Sequence, residues 1–361
     1  GATMKIMTSA KVSSGIGDFC TNFTTPVIID AFGYFVPATS ATAGRLVPLQ
    51  PRRILDTRTG VGWTPPVPPP PPPPPSPPST PPPNPGDTKN CGDFATWAEA
   101  NAWFWTYYGY YGDVADLDQD GDLIPCESRP GAPLRLVPDR TVISLQVAGR
   151  GGVPSSGVSA VLLNVTAVDP TASGWVQVAP TPVEKGKHSN LNPEPGRTIA
   201  NLVVVPVGAG GKVDLYSEFY TPGALDLLAD VVGYFTDGSA SNSSSGLFVP
   251  LTPKRTVDTR QPAPQPAVAS GTTINASLGA GVPGVIAVAG NLTSTGGGPG
   301  GWLQLASAPL QPGASSSLNT SYENQTIANA VISPIGTNGA QVHSYGSTHI
   351  LLDVTGYFTG G

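Results

Sequence analysis

Five acidic side chains crowd the stretch Asp116-Leu-Asp118-Gln-Asp120-Gly121-Asp122-Leu123-Ile124-Pro125-Cys126-Glu127. Carboxylates this close repel one another unless a cation lies among them. Calcium is a hard cation that takes six to eight oxygens. Alternating Asp residues can point successive carboxylates at one ion, and a late Glu can close the shell. The loop pattern D-x-[DN]-x-[DN]-G-x5-E is met in full, with Asp116 first, Gly121 sixth and Glu127 twelfth. Asp116, Asp118, Asp120, Asp122 and Glu127 are therefore the candidate metal ligands, and Ca2+ the expected ion. No catalytic residue set accompanies them. His188 lies beside Ser189, but no third member and no G-x-S-x-G elbow supports a hydrolase. The chain is not expected to be an enzyme.

The residues that would hold this loop precede it. Asn90-Cys91-Gly-Asp-Phe-Ala-Thr leads into a helical Ala98-Glu-Ala-Asn-Ala-Trp103-Phe stretch, then Tyr107-Tyr-Gly-Tyr-Tyr-Gly-Asp-Val114. From Asn90 to Glu127 the segment resembles the Excalibur family of small extracellular calcium-binding domains, whose motif is DxDxDGxxCE. That motif falls on Asp118, Asp120, Asp122, Cys126 and Glu127, with Leu123 where the family has Gly. The resemblance implies a disulfide between Cys91 and Cys126. Its register differs from the twelve-position loop by one ligand step, so Asp116 and Asp122 stay alternatives. The dense aromatics have two readings. Trp97, Trp103, Trp105 and Tyr108 either form the core of a very small domain or present a face on which a glycan could stack.

Pro65–Pro85 precedes this module and contains eight consecutive prolines, Pro68–Pro75. Proline fixes φ and removes backbone donors, so the run is read as a polyproline II spacer reaching roughly 65 Å.

The rest of the chain repeats itself. Arg45-Leu-Val-Pro-Leu-Gln-Pro-Arg-Arg-Ile-Leu-Asp56-Thr57-Arg58 matches Leu247-Phe-Val-Pro-Leu-Thr-Pro-Lys-Arg-Thr-Val-Asp258-Thr259-Arg260. Asn164-Val-Thr166 matches Asn291-Leu-Thr293, Trp175-Val-Gln177 matches Trp302-Leu-Gln304, and Ser189-Asn-Leu-Asn192 matches Ser316-Ser-Leu-Asn319. Thr198-Ile-Ala-Asn201 and Asp230-Val-Val-Gly-Tyr-Phe235 match Thr326-Ile-Ala-Asn329 and Asp353-Val-Thr-Gly-Tyr-Phe358. The Asp–Arg pairs read as strand-end braces. Asp30, Asp230 and Asp353, set in apolar strands, read as acceptors for nearby backbone donors. Val-rich runs punctuated by Gly, Pro, Asn and Ser predict an all-β fold. A two-sheet sandwich, immunoglobulin-like or jelly-roll-like, fits the repeat length best, with a small closed barrel as the alternative.

The expected organisation is 45–60 plus 131–236 as the first complete repeat, interrupted by the proline linker at 64–86 and the inserted module at 87–130. A linker at 237–246 leads to a second complete repeat at 247–361. Residues 1–36 read as the closing strands of another copy, in need of a partner sheet. Val27, Ile28, Ile29, Phe32, Tyr34 and Phe35 would supply strand complementation to other copies of the chain. The repeats look like β-repeat domains of large secreted and cell-surface proteins of actinobacteria and related groups, which implies a fold and no activity.

Composition agrees with an extracellular structural protein. The chain has 361 residues, 44 of them Gly and 42 Pro, together about twice their average share. Only 12% are charged, and the net charge is −6. No basic patch suits nucleic acid, and no apolar run approaches the ~20 residues of a membrane span. Of three cysteines, Cys20 is left without an assigned partner. The expected role is a surface fibre, stalk or sheath that displays a calcium-stabilised module, with a cell-wall or glycan-binding module as the alternative.

Overall fold

The computed structural model describes residues 12–14, 17–19, 34–63, 81–118, 125–126, 129, 136–276, 284–336 and 339–361. It contains two compact units, 1–36 and 37–361. In the first, β1 (Val12–Ser14) pairs antiparallel with β2 (Gly17–Phe19). Val27–Phe32 lie outside the described residues. Tyr34 and Phe35 belong to no strand, and Tyr34 is exposed.

The second unit is all-β outside the insert. Its first repeat begins with β3 (Leu46–Asp56) and, after the insert, continues through β4 (Val137–Pro138), β5 (Val142–Gln146) and β6 (Val158–Val168). It closes with β7 (Gly174–Pro180), β8 (Ile199–Pro206), β9 (Lys212–Phe219) and β10 (Ala224–Thr236). One sheet runs β3-β10-β6-β8, with β4 added along β10, and the facing sheet runs β5-β9-β7. The second repeat comprises β11 (Phe248–Asp258), β12 (Thr272–Ala276), β13 (Val285–Gly297), β14 (Gly301–Ser307), β15 (Leu318–Thr320), β16 (Gln325–Pro334), β17 (Ala340–Tyr345) and β18 (His349–Thr359). Its sheets run β11-β18-β13-β16 and β12-β17-β14-β15. The two repeats thus share one strand order. Even the short β15 has a counterpart, since Val176 bridges Leu191 where Leu303 pairs with Leu318. Both are open two-sheet sandwiches, and the barrel alternative is set aside.

Burial along β6 shows why its sequence reads as a nearly continuous apolar run. Val161, Leu163, Val165 and Ala167 point into the core between the sheets. Leu162, Asn164 and Thr166 lie on the opposite face and are buried as well. Residues two apart share a face, so a strand buried on both faces loses its polar alternation. What covers the outer face is the second repeat. Leu46, Leu162, Val232 and Phe235 cluster with Ala287 and Phe358, and Phe248 and Ile332 pack on them. Among the described residues of the two sandwiches, the apolar side chains form a core inside each and one cluster containing residues of both.

Phe358 is 1% exposed within that shared cluster. Phe358→Ala is expected to lower unfolding free energy by about 3–5 kcal/mol, the usual cost of emptying a buried Phe site. Equilibrium denaturation of the full chain checks this.

Candidate functional site

The inserted module is built on helix α1 (Trp97–Tyr111). Thr96 caps it: its hydroxyl accepts from the Glu99 backbone N–H, and the Glu99 carboxylate accepts in return from Thr96 N–H. This reciprocal pair fixes where the helix starts. The helix buries Ala100 and Phe104 against Phe94, Ala115, Leu117 and Cys126. A disulfide joins Cys91 to Cys126. Of the four stacking candidates, Trp103, Trp105 and Tyr108 pack on this core. Phe104 stacks on Tyr108 at 4.6 Å, and Trp105 Nε1 donates to Asn101 Oδ1 at 3.0 Å. Trp97 is half-buried. The Tyr111 hydroxyl donates to Pro82 O at 2.8 Å, tying the helix end to the proline arm.

The acidic loop leaves this module through a closed base. Asp113 accepts from the backbone N–H groups of Leu117 (3.0 Å) and Asp118 (2.8 Å). Cys126 N–H donates to Leu117 O at 2.8 Å, bringing the two ends of the loop together. Asp116 sits at φ 48°, a left-handed value that Asp tolerates better than most residues. Asp116 and Asp118 are the described part of the candidate ligand set. Asp120, Asp122 and Glu127 lie outside the described residues, and among those described no three His, Cys, Asp or Glu gather as a metal site.

The recurring motifs of the repeats form a second constellation. Asp56 accepts from Arg58 Nε (2.9 Å), Nη2 (2.8 Å) and backbone N–H (3.2 Å), and from Arg53 Nη1 (2.9 Å). Thr57 Oγ1 accepts from Leu227 N–H at 3.0 Å and donates to Asp226 at 2.7 Å, locking the strand end to β10. In the second repeat Asp258 accepts from Arg260 Nε (2.8 Å) and Nη2 (2.7 Å), and Thr259 Oγ1 accepts from Ile350 N–H (2.8 Å). Burial works against the Asp56 carboxylate, but the bonds and charge of Arg58, joined by Arg53, hold it below the ordinary value. The Arg260 bond holds Asp258 well below it.

Asp230 and Asp353, read from the sequence as acceptors for nearby backbone donors, take arginine partners. Arg53 Nε bonds Asp230 Oδ1 at 2.5 Å, and Arg255 Nε bonds Asp353 Oδ1 at 2.8 Å. Sheet register sets these pairs in matching cross-strand rows, Arg53–Asp230–Asn164–Leu202 and Arg255–Asp353–Asn291–Ala330. Among the described residues, the first row is covered and the second is not. Asp230 is 0% exposed, while the side chains of Asp353 and Arg255 are 25% and 44% exposed.

What covers the first row is the Ser315–Ser317 loop and Asn329 of the second repeat. Asn164 Nδ2 donates to Ser316 O, and Asn329 Nδ2 donates to Asn164 Oδ1 at 3.1 Å. Leu202 N–H donates to Asn329 Oδ1 at 3.2 Å, and the Ser316 backbone pulls the Asp230 pKa down. Burial pushes Asp230 up in pKa against the pull of Arg53. Gln304 of the Trp-x-Gln motif shapes the covering loop. Its Nε2 donates to Gln311 O at 3.0 Å, and its Oε1 accepts from Gly313 N–H at 3.0 Å. Gln177 holds the equivalent loop of the first repeat in the same way. Sequence comparison found every one of these motifs but not the contact between them, because nothing in the pattern says which repeat covers which.

No protein-family model matches the chain, and no curated protein matches it. The site therefore rests on its own geometry. It offers a small disulfide-closed module at the foot of an acidic loop, and a buried polar joint between two sandwiches. Among the described residues, no helix is long and apolar enough to cross a membrane.

Two outcomes follow. Asn164→Ala strands the partners of a buried amide and is expected to cost about 1–3 kcal/mol, while Asn291→Ala, at the uncovered equivalent, stays within about 0.5 kcal/mol of wild type in urea unfolding. Asp258 is lowered in the folded state, so its contribution is full above the ordinary carboxylate value of 3.8 and fades as pH falls below it. Asp230, raised by burial, has the opposite sign. Asp258→Asn should thus flatten the acid limb of the melting-temperature profile below about pH 4.

Proposed function

We propose that the protein is an extracellular structural or adhesive element: tandem β-sandwiches forming a stalk, fibre or sheath that carries a calcium-stabilised module on a polyproline arm. The observation behind this reading is the work done by the repeated motifs. Asp-Thr-Arg braces strand ends, Trp-x-Gln shapes a loop, and the Asn, Asp and Ser elements meet in the joint between repeats. Some of the recurring polar motifs fix strand ends and loops within a repeat, and others join one repeat to the next, which suits a stacked array of β domains.

In this reading the displayed module holds calcium in its acidic loop. The Asp113 bonds, the Leu117–Cys126 contact and the disulfide bring together the chain ends that flank the loop. Asp116, Asp118, Asp120, Asp122 and Glu127 would hold the ion, whose charge relieves the repulsion among them. Assembly with other copies through residues 1–36 belongs to the same reading. For the glycan alternative, Trp103, Trp105 and Tyr108 pack on the module's own core while staying half-buried, as Trp97 does.

Electron microscopy of the calcium-loaded protein tests the structural role. Regular filaments or sheets are expected, and dispersed single particles at every concentration would overturn it. For the module, chelator is expected to lower its melting temperature in wild type and leave an Asp120→Asn/Glu127→Gln variant unchanged. An equal response in both would remove calcium from the account.

A further inference from the structure

Beside the Arg53–Asp230–Asn164 row, a cleft of about 460 Å³ opens between the repeats. Small-molecule sites are commonly roughly 300–1,000 Å³ and lie between domains. The first repeat contributes Arg53, Arg58 and Thr166 to its walls, and the second contributes Trp302, Ser315 and Asn319.

Two hydroxyls in these walls have no hydrogen-bond partner: Thr166 Oγ1 and Ser315 Oγ. Thr166 is 2% exposed and Ser315 5%. Buried polar atoms are nearly always bonded, and each exception calls for an explanation. Here the two exceptions come from different repeats and line one cleft.

Charge narrows the class of ligand. Arg53 is bonded to Asp230 and Asp56, and Arg58 to Asp56. Asp169 adds a further carboxylate to the lining. With both guanidiniums already paired to carboxylates, the cleft does not favour a phosphate or sulfate. The remaining lining is mostly hydroxyl, amide and glycine backbone, with one indole and the apolar side chains of Val168, Leu228 and Pro299. Trp302 is half-buried and lies parallel to the exposed Tyr345, with ring centroids 5.5 Å apart. An aromatic face beside hydroxyl and amide groups suits a ligand with an apolar ring face and a hydroxyl rim.

We propose that this cleft binds a neutral carbohydrate that touches both repeats at once. No residue of the insert is among the cleft's described lining, and the proposal does not depend on the stalk reading.

The test is calorimetric titration of the full chain with neutral trisaccharides of glucose, galactose, mannose and N-acetylglucosamine, to about 10 mM. At least one is expected to bind and to raise the melting temperature, since a ligand held by both repeats favours the folded state. Trp302→Ala should weaken binding at least about tenfold. Thr166→Val, which replaces a hydroxyl by a methyl of the same shape, should weaken it with folding intact. Trp175→Phe, at the equivalent position of the first repeat, should leave it unchanged. The proposal is overturned if none of the sugars binds, or if the Trp302 and Thr166 variants bind as wild type does. Filaments seen alongside a failure to bind would leave the structural role standing and remove this site alone.

Discussion

A buried carboxylate sets the geometry of the two-repeat body. Asp230 is fully enclosed, and a charge in that position must be paired and hydrogen-bonded to persist. Arg53 on the neighbouring strand supplies the partner, and the backbone of Ser316 from the other sandwich favours the charged form. Asn164 and Asn329 complete the contact by exchanging bonds with each other and with the backbone of both repeats. Polar groups of this kind have direction, so they specify one arrangement where apolar contact alone would accept several. The apolar cluster of Leu162, Phe235 and Phe358 supplies area, and the Asp230 row supplies register.

The same residues act differently where nothing covers them. Arg255, Asp353 and Asn291 repeat the first row in type and in strand register, yet they stand partly open to solvent. Exposed ion pairs contribute little to stability. The second row therefore contributes little within this chain, while the first row is part of the joint. Identity of residues across repeats gives identity of local geometry, and burial decides what that geometry is worth.

Much of this was legible in the sequence. Val-rich runs separated by Gly, Pro and Asn gave the sandwiches, and the internal matches gave two copies of one strand order. The Ala98–Phe104 stretch gave the helix, while its Thr96 cap emerged only with the structure. The double-sided burial of β6 and β10 was written in runs such as Val161-Leu-Leu-Asn-Val165, which lack the alternation of a half-exposed strand. That signal says that a second face is covered without saying by what. The arginine partner of Asp230 was also present in the repeated Arg-x-x-Asp-Thr-Arg spacing. Recognising it required the strand register, which places Arg53 beside Asp230, 177 residues away. The cleft was not legible at all, because its walls come from two repeats whose docking no local pattern encodes.

The central claim is that the buried row locks the two sandwiches into one body. Pulsed electron resonance between nitroxide labels at Lys185 and Thr252, both exposed and on different repeats, measures this directly once Cys20 is replaced by Ser. The account predicts one narrow distance distribution in the wild-type background and a broad one in Asn164→Ala. A broad distribution in the wild-type background would contradict it.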